Sequence, residues 1–157
     1  LAREPDVPTI FTEIGDLGGI QEVVFCGYGE STLRLDVLKE TAKELKARGV
    51  KVRLDPDGLG NLVHGRDILP ELKGLIDSVS ISLNASNSEQ YARLCPSRYE
   101  GRAYQAVKDF VLDAKKWIPD VQATVVTVPG LDVDACRHIV ENELGVRFRA
   151  REYNNVG

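Results

Sequence analysis

The 157-residue sequence has no methionine, one tryptophan, two histidines and three cysteines. His64 and His138 are too isolated to suggest a catalytic triad or a metal motif. Cys26, Cys95 and Cys136 lie far apart and match no metal-ligand spacing. An odd number of cysteines without a secretory leader points to a reducing, cytoplasmic compartment. Cys26 and Cys136 fall on apolar stripes and read as core, and Cys95-Pro96 reads as a helix end. No uncharged apolar run reaches about 18 residues, so a membrane span is not expected. Positive charge is not in excess either: 20 basic against 24 acidic residues give a formal charge of −4, which argues against a dedicated nucleic-acid binder. With 43% hydrophobic residues the chain is too apolar to be disordered. A chain that opens on Leu1 and lacks methionine is expected to be processed or to be part of something longer.

What the sequence does contain is an alternation of periods. Val7, Ile10, Phe11, Ile14 and Leu17 predict a helix over 5–17, stopped by Gly18-Gly19. The apolar run 22–26, bounded by Gly27, predicts a strand buried on both faces. Leu38, Ala42 and Leu45 give the stripe of a helix over 33–48, with Gly49 beyond its end. A strand over 50–54 follows, then the polar, glycine-rich loop 55–61, a short helix near 69–75 and a strand over 78–83. A helix over 88–94 precedes the clearest one, 102–117, in which Ala103, Val107, Phe110, Ala114 and Trp117 recur at helical spacing. A strand over 121–128, a helix capped by Asp132 and a last strand over 146–153 complete the series.

Such βα alternation predicts an α/β fold with a parallel sheet and right-handed crossovers, either doubly wound or part of a barrel. In both, ligands gather at the carboxyl ends of the strands. The residues following the strands are small, polar and mildly acidic: Gly27-Tyr28-Gly29-Glu30, then Asp55 and Asp57, then Ser82 and Asn84, then Thr127, then Tyr153. No Walker loop, GxGxxG or Ser/His/Asp set appears among them. Gly27-x-Gly29-Glu30 allows two readings. Its glycines could bring backbone close to a ligand, with Glu30 accepting from an ammonium group. Alternatively it is a strand-to-helix turn in which Glu30 or Ser31 caps the next helix. Asp55 and Asp57 could bind a cation together with Glu30, or simply form an Asp-Pro-Asp-Gly turn. Lys39, Lys43 and Lys46 read as a solvated helix face.

The stretch EVVFCGYGESTLR from Glu22 to Arg34 resembles the second strand and Gly-Gly-Glu motif of radical S-adenosylmethionine (SAM) enzymes, and most of all the TatD-associated group. The likeness continues through VRLDPDGLGNLVHGRD, VSISLNA, the segment 91–99 and the closing Tyr153-Asn154-x-Val156-Gly157. It implies a partial (β/α)6 barrel, with residues 1–157 as one truncated core domain. It implies that Gly27, Tyr28, Gly29 and Glu30 meet the methionyl amino group of SAM, that Ser82 and Asn84 meet its ribose, and that Val126, Thr127 and Tyr153 lie near its adenine. The family's CxxxCxxC signature, which holds a [4Fe–4S] cluster, is not present in this sequence. Ser31 also replaces the usual proline, and Asp55-Pro56-Asp57-Gly58 stands where the family has a Thr-Asn-Gly type turn. The resemblance thus implies a carboxyl-terminal portion of an enzyme that, intact, cleaves SAM reductively to a 5′-deoxyadenosyl radical, acting on a small-molecule or macromolecular substrate.

On this reading the 157 residues alone are inactive, bind no cluster, and have no metal site or catalytic residue of their own. A first strand missing beside 22–26 would leave an open edge, so either self-association through that strand or the front helix displaced to cover it is expected. Two other readings remain open: a non-catalytic α/β nucleotide-binding domain, and a cation-dependent (β/α)-barrel hydrolase using Glu30, Asp55 and Asp57.

Overall fold

Parallel neighbours cannot be joined by a tight turn, so each apolar run must be followed by a crossover. The computed structural model, which describes residues 4–26 and 29–153, has this form. Strands β1 (Glu22–Phe25), β2 (Lys51–Leu54), β3 (Ser78–Ser82), β4 (Asp120–Thr127) and β5 (Arg147–Glu152) form one parallel sheet in chain order. The helices are α1 (Val7–Ile14), α2 (Leu35–Ala47), α3 (Gly60–His64), α4 (Leu69–Leu72), α5 (Ser88–Leu94), α6 (Ala103–Trp117) and α7 (Val133–His138). A doubly wound sheet reverses its strand order at a switch point. Here the order never reverses, so right-handed crossovers place the helices on one face, as in a barrel wall.

The two faces differ in chemistry. Toward the helices point Val52, Leu54, Val79, Ile81, Ala123 and Val125, all buried. The register places Glu22, Arg53, Ser80, Gln122, Thr124 and the β5 arginines on the opposite, concave face. Helix α6 seals the helical side through Ala103, Val107, Phe110 and Ala114, as its spacing predicts, together with Tyr104 and Val111. Trp117 is only half-buried, its ring 5.7 Å from Lys73 Nζ.

Local chemistry sets the ends of the elements. Asp6 Oδ1 accepts from the Thr9 amide at 3.0 Å, and α1 stops at Gly15 (φ +71°), short of the predicted Leu17. Asn87 and Asp132 cap α5 and α7 at 2.9 Å. The helix predicted from 132 onward continues past α7 as a π-helical turn, Ile139–Glu143. Lys39 and Lys46 are not merely solvated: Lys39 pairs with Glu71 at 2.6 Å and Lys46 with Asp77 at 2.5 Å, tying α2 to α4 and to the start of β3.

Two expectations fail. The strand at 22–26 is not buried on both faces, because β1 pairs only with β2, and Cys26 is exposed instead of core. Cys136 is buried as predicted. The glycine-rich segment 55–61 is not all loop, since α3 begins within it at Gly60. Gly58 sits at φ +83°, where a Cβ would lie 3.0 Å from Ile81 Cγ2 and Val107 Cγ1. At Gly60 a Cβ would come within 2.7 Å of Ile68 Cδ1. These glycines let the loop pack onto the core.

Candidate functional site at the carboxyl edge of the sheet

Because all five strands run parallel, the residues that follow them share one edge. Side chains and backbone link that edge from strand to strand. Glu30, after β1, accepts the Asp57 amide on Oε2 at 2.7 Å. The Pro56 carbonyl accepts the Ser82 amide at 3.0 Å. Asn84 Oδ1 accepts the Val126 amide at 3.1 Å, and Thr127 Oγ1 donates to the Arg151 carbonyl at 3.2 Å. Each neighbouring pair of strands is therefore joined by at least one polar contact at the rim.

Of the sequence-predicted site residues, Gly27 and Tyr28 lie outside the described residues. Gly29 adopts φ +97°, open to glycine and strained for other residues. Glu30 does what the capping alternative required: its Oε1 accepts from the Thr32 amide at 2.9 Å and the Thr32 hydroxyl at 2.6 Å. Three donors thus engage a carboxylate that offers about four acceptor sites. Ser82, Asn84, Val126 and Thr127 are half-buried at the ends of β3 and β4, and Tyr153 is exposed beyond β5. Asn84 occupies the left-handed region at φ +55° and points its amide nitrogen at Cys95 Sγ, 3.8 Å away.

The electrostatics of the rim centre on two carboxyl groups. Asp57 is pushed up to about 6, first by burial and then by the Glu30 carboxylate, against the Leu59 amide that donates to it. Burial also raises Asp55, while Arg53, Arg151 and Arg149 oppose the rise. Burial and the nearby Asp57 raise the Cys95 thiol against the pull of Asn84, which keeps it protonated and suits a structural role. The sequence grouped Asp57 with Glu30 as candidate cation ligands; the structure brings the two together through the Asp57 backbone amide, a contact that spacing does not display.

The donors do not gather as the hydrolase reading needs. Asp55 turns to Arg53, with Oδ1 and Nε 3.1 Å apart, although the two are not aligned as a hydrogen bond. Among the described residues no group of three or more His, Cys, Asp or Glu side chains could hold a metal ion. The cysteines are likewise dispersed: Cys26 exposed, Cys95 half-buried, Cys136 buried. They do not fit a [4Fe–4S] cluster, which needs clustered thiolates. No described helix is long and apolar enough to cross a membrane.

Beside Glu30 lies a cavity of 270 Å³, between α1 and β1, which Ile10, Phe25, Cys26 and Gly29 help to line. A larger depression of 640 Å³ sits at the opposite edge, around Pro119, Asp120 and Arg147, away from the rim. The sequence model of the radical SAM superfamily matches residues 1–142. Among curated proteins none matches the sequence.

Proposed function

Since the chain belongs to the radical SAM superfamily, we propose that its rim binds SAM for radical chemistry. The observation that carries this reading is the Glu30–Asp57 pair. Two carboxyl groups meet at the carboxyl edge with no cationic side chain paired to either among the described residues, and burial, followed by the Glu30 carboxylate, pushes Asp57 up to about 6. Such a pair is relieved by a cation, and an ammonium group supplies both charge and directed N–H donors. Glu30 then accepts from the methionyl amino group while Gly29 lets the ligand approach the backbone. Ser82 and Asn84 face the ribose, and Val126, Thr127 and Tyr153 flank the adenine.

When bound, SAM and its iron–sulfur cluster supply the radical chemistry, and the protein positions and shields it. Cys26, Cys95 and Cys136 are too dispersed to hold that cluster, which would need thiolates other than these three. The chain by itself therefore positions SAM without cleaving it. Within the superfamily we place it with the TatD-associated group, on the stretch from Glu22 to Arg34. The nucleotide-binding alternative shares the rim but gives the two adjacent carboxyl groups no partner.

The test is equilibrium binding of SAM to the wild-type chain and to Glu30→Gln. Losing a charge-assisted hydrogen bond costs about 1.5–3 kcal/mol, so affinity should fall roughly 10- to 150-fold. Unchanged affinity would return Glu30 to a purely capping role.

A further inference from the structure

The concave face of the sheet holds charge that neither the rim contacts nor the core uses. Its acidic side chains already have partners: Glu22 and Asp55 lie 3.5 and 3.1 Å from Arg53, and Asp120 takes the Arg147 guanidinium at 2.6 Å. Arg149 and Arg151 are left over. Both are on the edge strand β5, opposite Thr124 and Val126 in register and so on the concave face. Among the described residues neither guanidinium makes an ion pair or a hydrogen bond. Both are exposed, and their positive charges favour the ionised form of Asp55 at the carboxyl end of β2, against its burial.

Residues two apart on a strand share a face at about 7 Å, close enough for two guanidiniums to converge on one tetrahedral or planar anion. A chain of formal charge −4 has no electrostatic need for an unpaired basic pair on its concave face. An isolated edge charge can serve as a guard against strand pairing. That role suits a side chain at the edge in general, but it does not require two arginines in succession on the same face.

We propose that Arg149 and Arg151 form an anion subsite on the concave face that takes a phosphate or carboxylate group of the substrate. This rests on the reading that the same face receives SAM, and it adds the class of the second ligand: a molecule with at least one anionic group. Arg151, nearest the rim, sets that group toward the carboxyl end, while Arg149 sets its depth.

Calorimetric titration at low ionic strength tests it, with inorganic pyrophosphate as the phosphate probe and citrate as the carboxylate probe. The wild-type chain should bind at least one of them, and added salt should weaken the binding. The double variant Arg149→Gln/Arg151→Gln should lose about tenfold or more in affinity, whereas Arg147→Gln, already committed to Asp120, should not. Arg149→Lys/Arg151→Lys keeps the charge without the planar fork and should fall between them, which guards against a misfolded glutamine variant. Preference for pyrophosphate or citrate tells which group the substrate bears.

No binding by the wild-type chain, or equal binding by the double glutamine variant, overturns the subsite. So does loss of SAM affinity in that variant with pyrophosphate competing against SAM, since the arginines would then serve SAM's own carboxylate. Pyrophosphate binding in a chain that binds no SAM keeps the anion subsite and overturns the reading of Glu30 instead.

Discussion

Asn84 Oδ1 accepts the Val126 amide at 3.1 Å from a residue whose own backbone lies at φ +55°. The left-handed conformation turns the chain at the end of β3 so that its side chain reaches β4. Asparagine tolerates this region better than most residues, and its side chain replaces a ladder contact that the strand has run out of. Asn84→Ala should therefore cost about 2–4 kcal/mol, combining backbone strain with an unpaired amide. Asn84→Gly should cost less than Asn84→Ala, because it keeps the turn and loses only the bridge. Denaturant melts of the two variants would separate these contributions.

The carboxyl pair makes stability and binding depend on pH in opposite senses. Asp57 rises from 3.8 to about 6 on folding, so the folded state binds more protons between those values than the unfolded state. Its contribution to stability therefore falls as pH rises through that window. Asp57→Asn should flatten that slope in denaturant melts. SAM binding should run the other way, tightening as pH rises past about 6, because an ammonium group is held best by the ionised pair. Calorimetry on either side of that value reads the sign.

Gly58→Ala should destabilise the chain without touching any charged group. The substitution forces an L-residue to φ +83° and brings its Cβ to 3.0 Å from two buried side chains. Strain and overpacking together amount to about 2–4 kcal/mol. A variant as stable as wild type would mean that the loop over α6 can shift freely.

Phe110 is among the largest fully buried side chains and faces the sheet from α6. Phe110→Ala should cost about 3–5 kcal/mol, the range for a large aromatic truncated in a core. Thermal melting of the variant would show this directly.

Among the described residues, no strand pairs with β1 on the side away from β2. The front helix does not cap it: α1 rests on α2, with Arg48 4.6 Å from the centroid of Phe11 and Arg34 donating to the Pro5 carbonyl at 2.5 Å. We expect concentration-dependent self-association through this strand, read by analytical ultracentrifugation. Val24→Lys, a charge on the concave side of the edge, should suppress it.

Much of the fold could be read from spacing alone. The stripe of α6 and the Asp132 cap of α7 come from local chemistry, and local chemistry is what a sequence displays. The elements that differed depend on neighbours. Cys26 is apolar in pattern, yet exposed because its strand has one partner instead of two. Helix α3 hides behind Gly58 and Gly60, whose smallness serves packing against Ile81, on another strand, and Ile68, beyond the helix. At the site, Glu30 stood out beside its glycines, but its tie to Asp57 depends on β1 and β2 lying side by side. Arg149 and Arg151 look like ordinary polar positions of an alternating strand until the register shows which way that strand faces.

The order β1 to β5 gives the sheet two free ends instead of a closed ring, since each terminal strand has a single hydrogen-bonded neighbour among the described residues. Across the concave face the register sets Ser82, Thr124 and Arg149 in one row over three neighbouring strands. A ligand lying along that row would cross the strands instead of following one of them, so each strand would offer it a different side chain: a hydroxyl from β3, a hydroxyl from β4 and a guanidinium from β5.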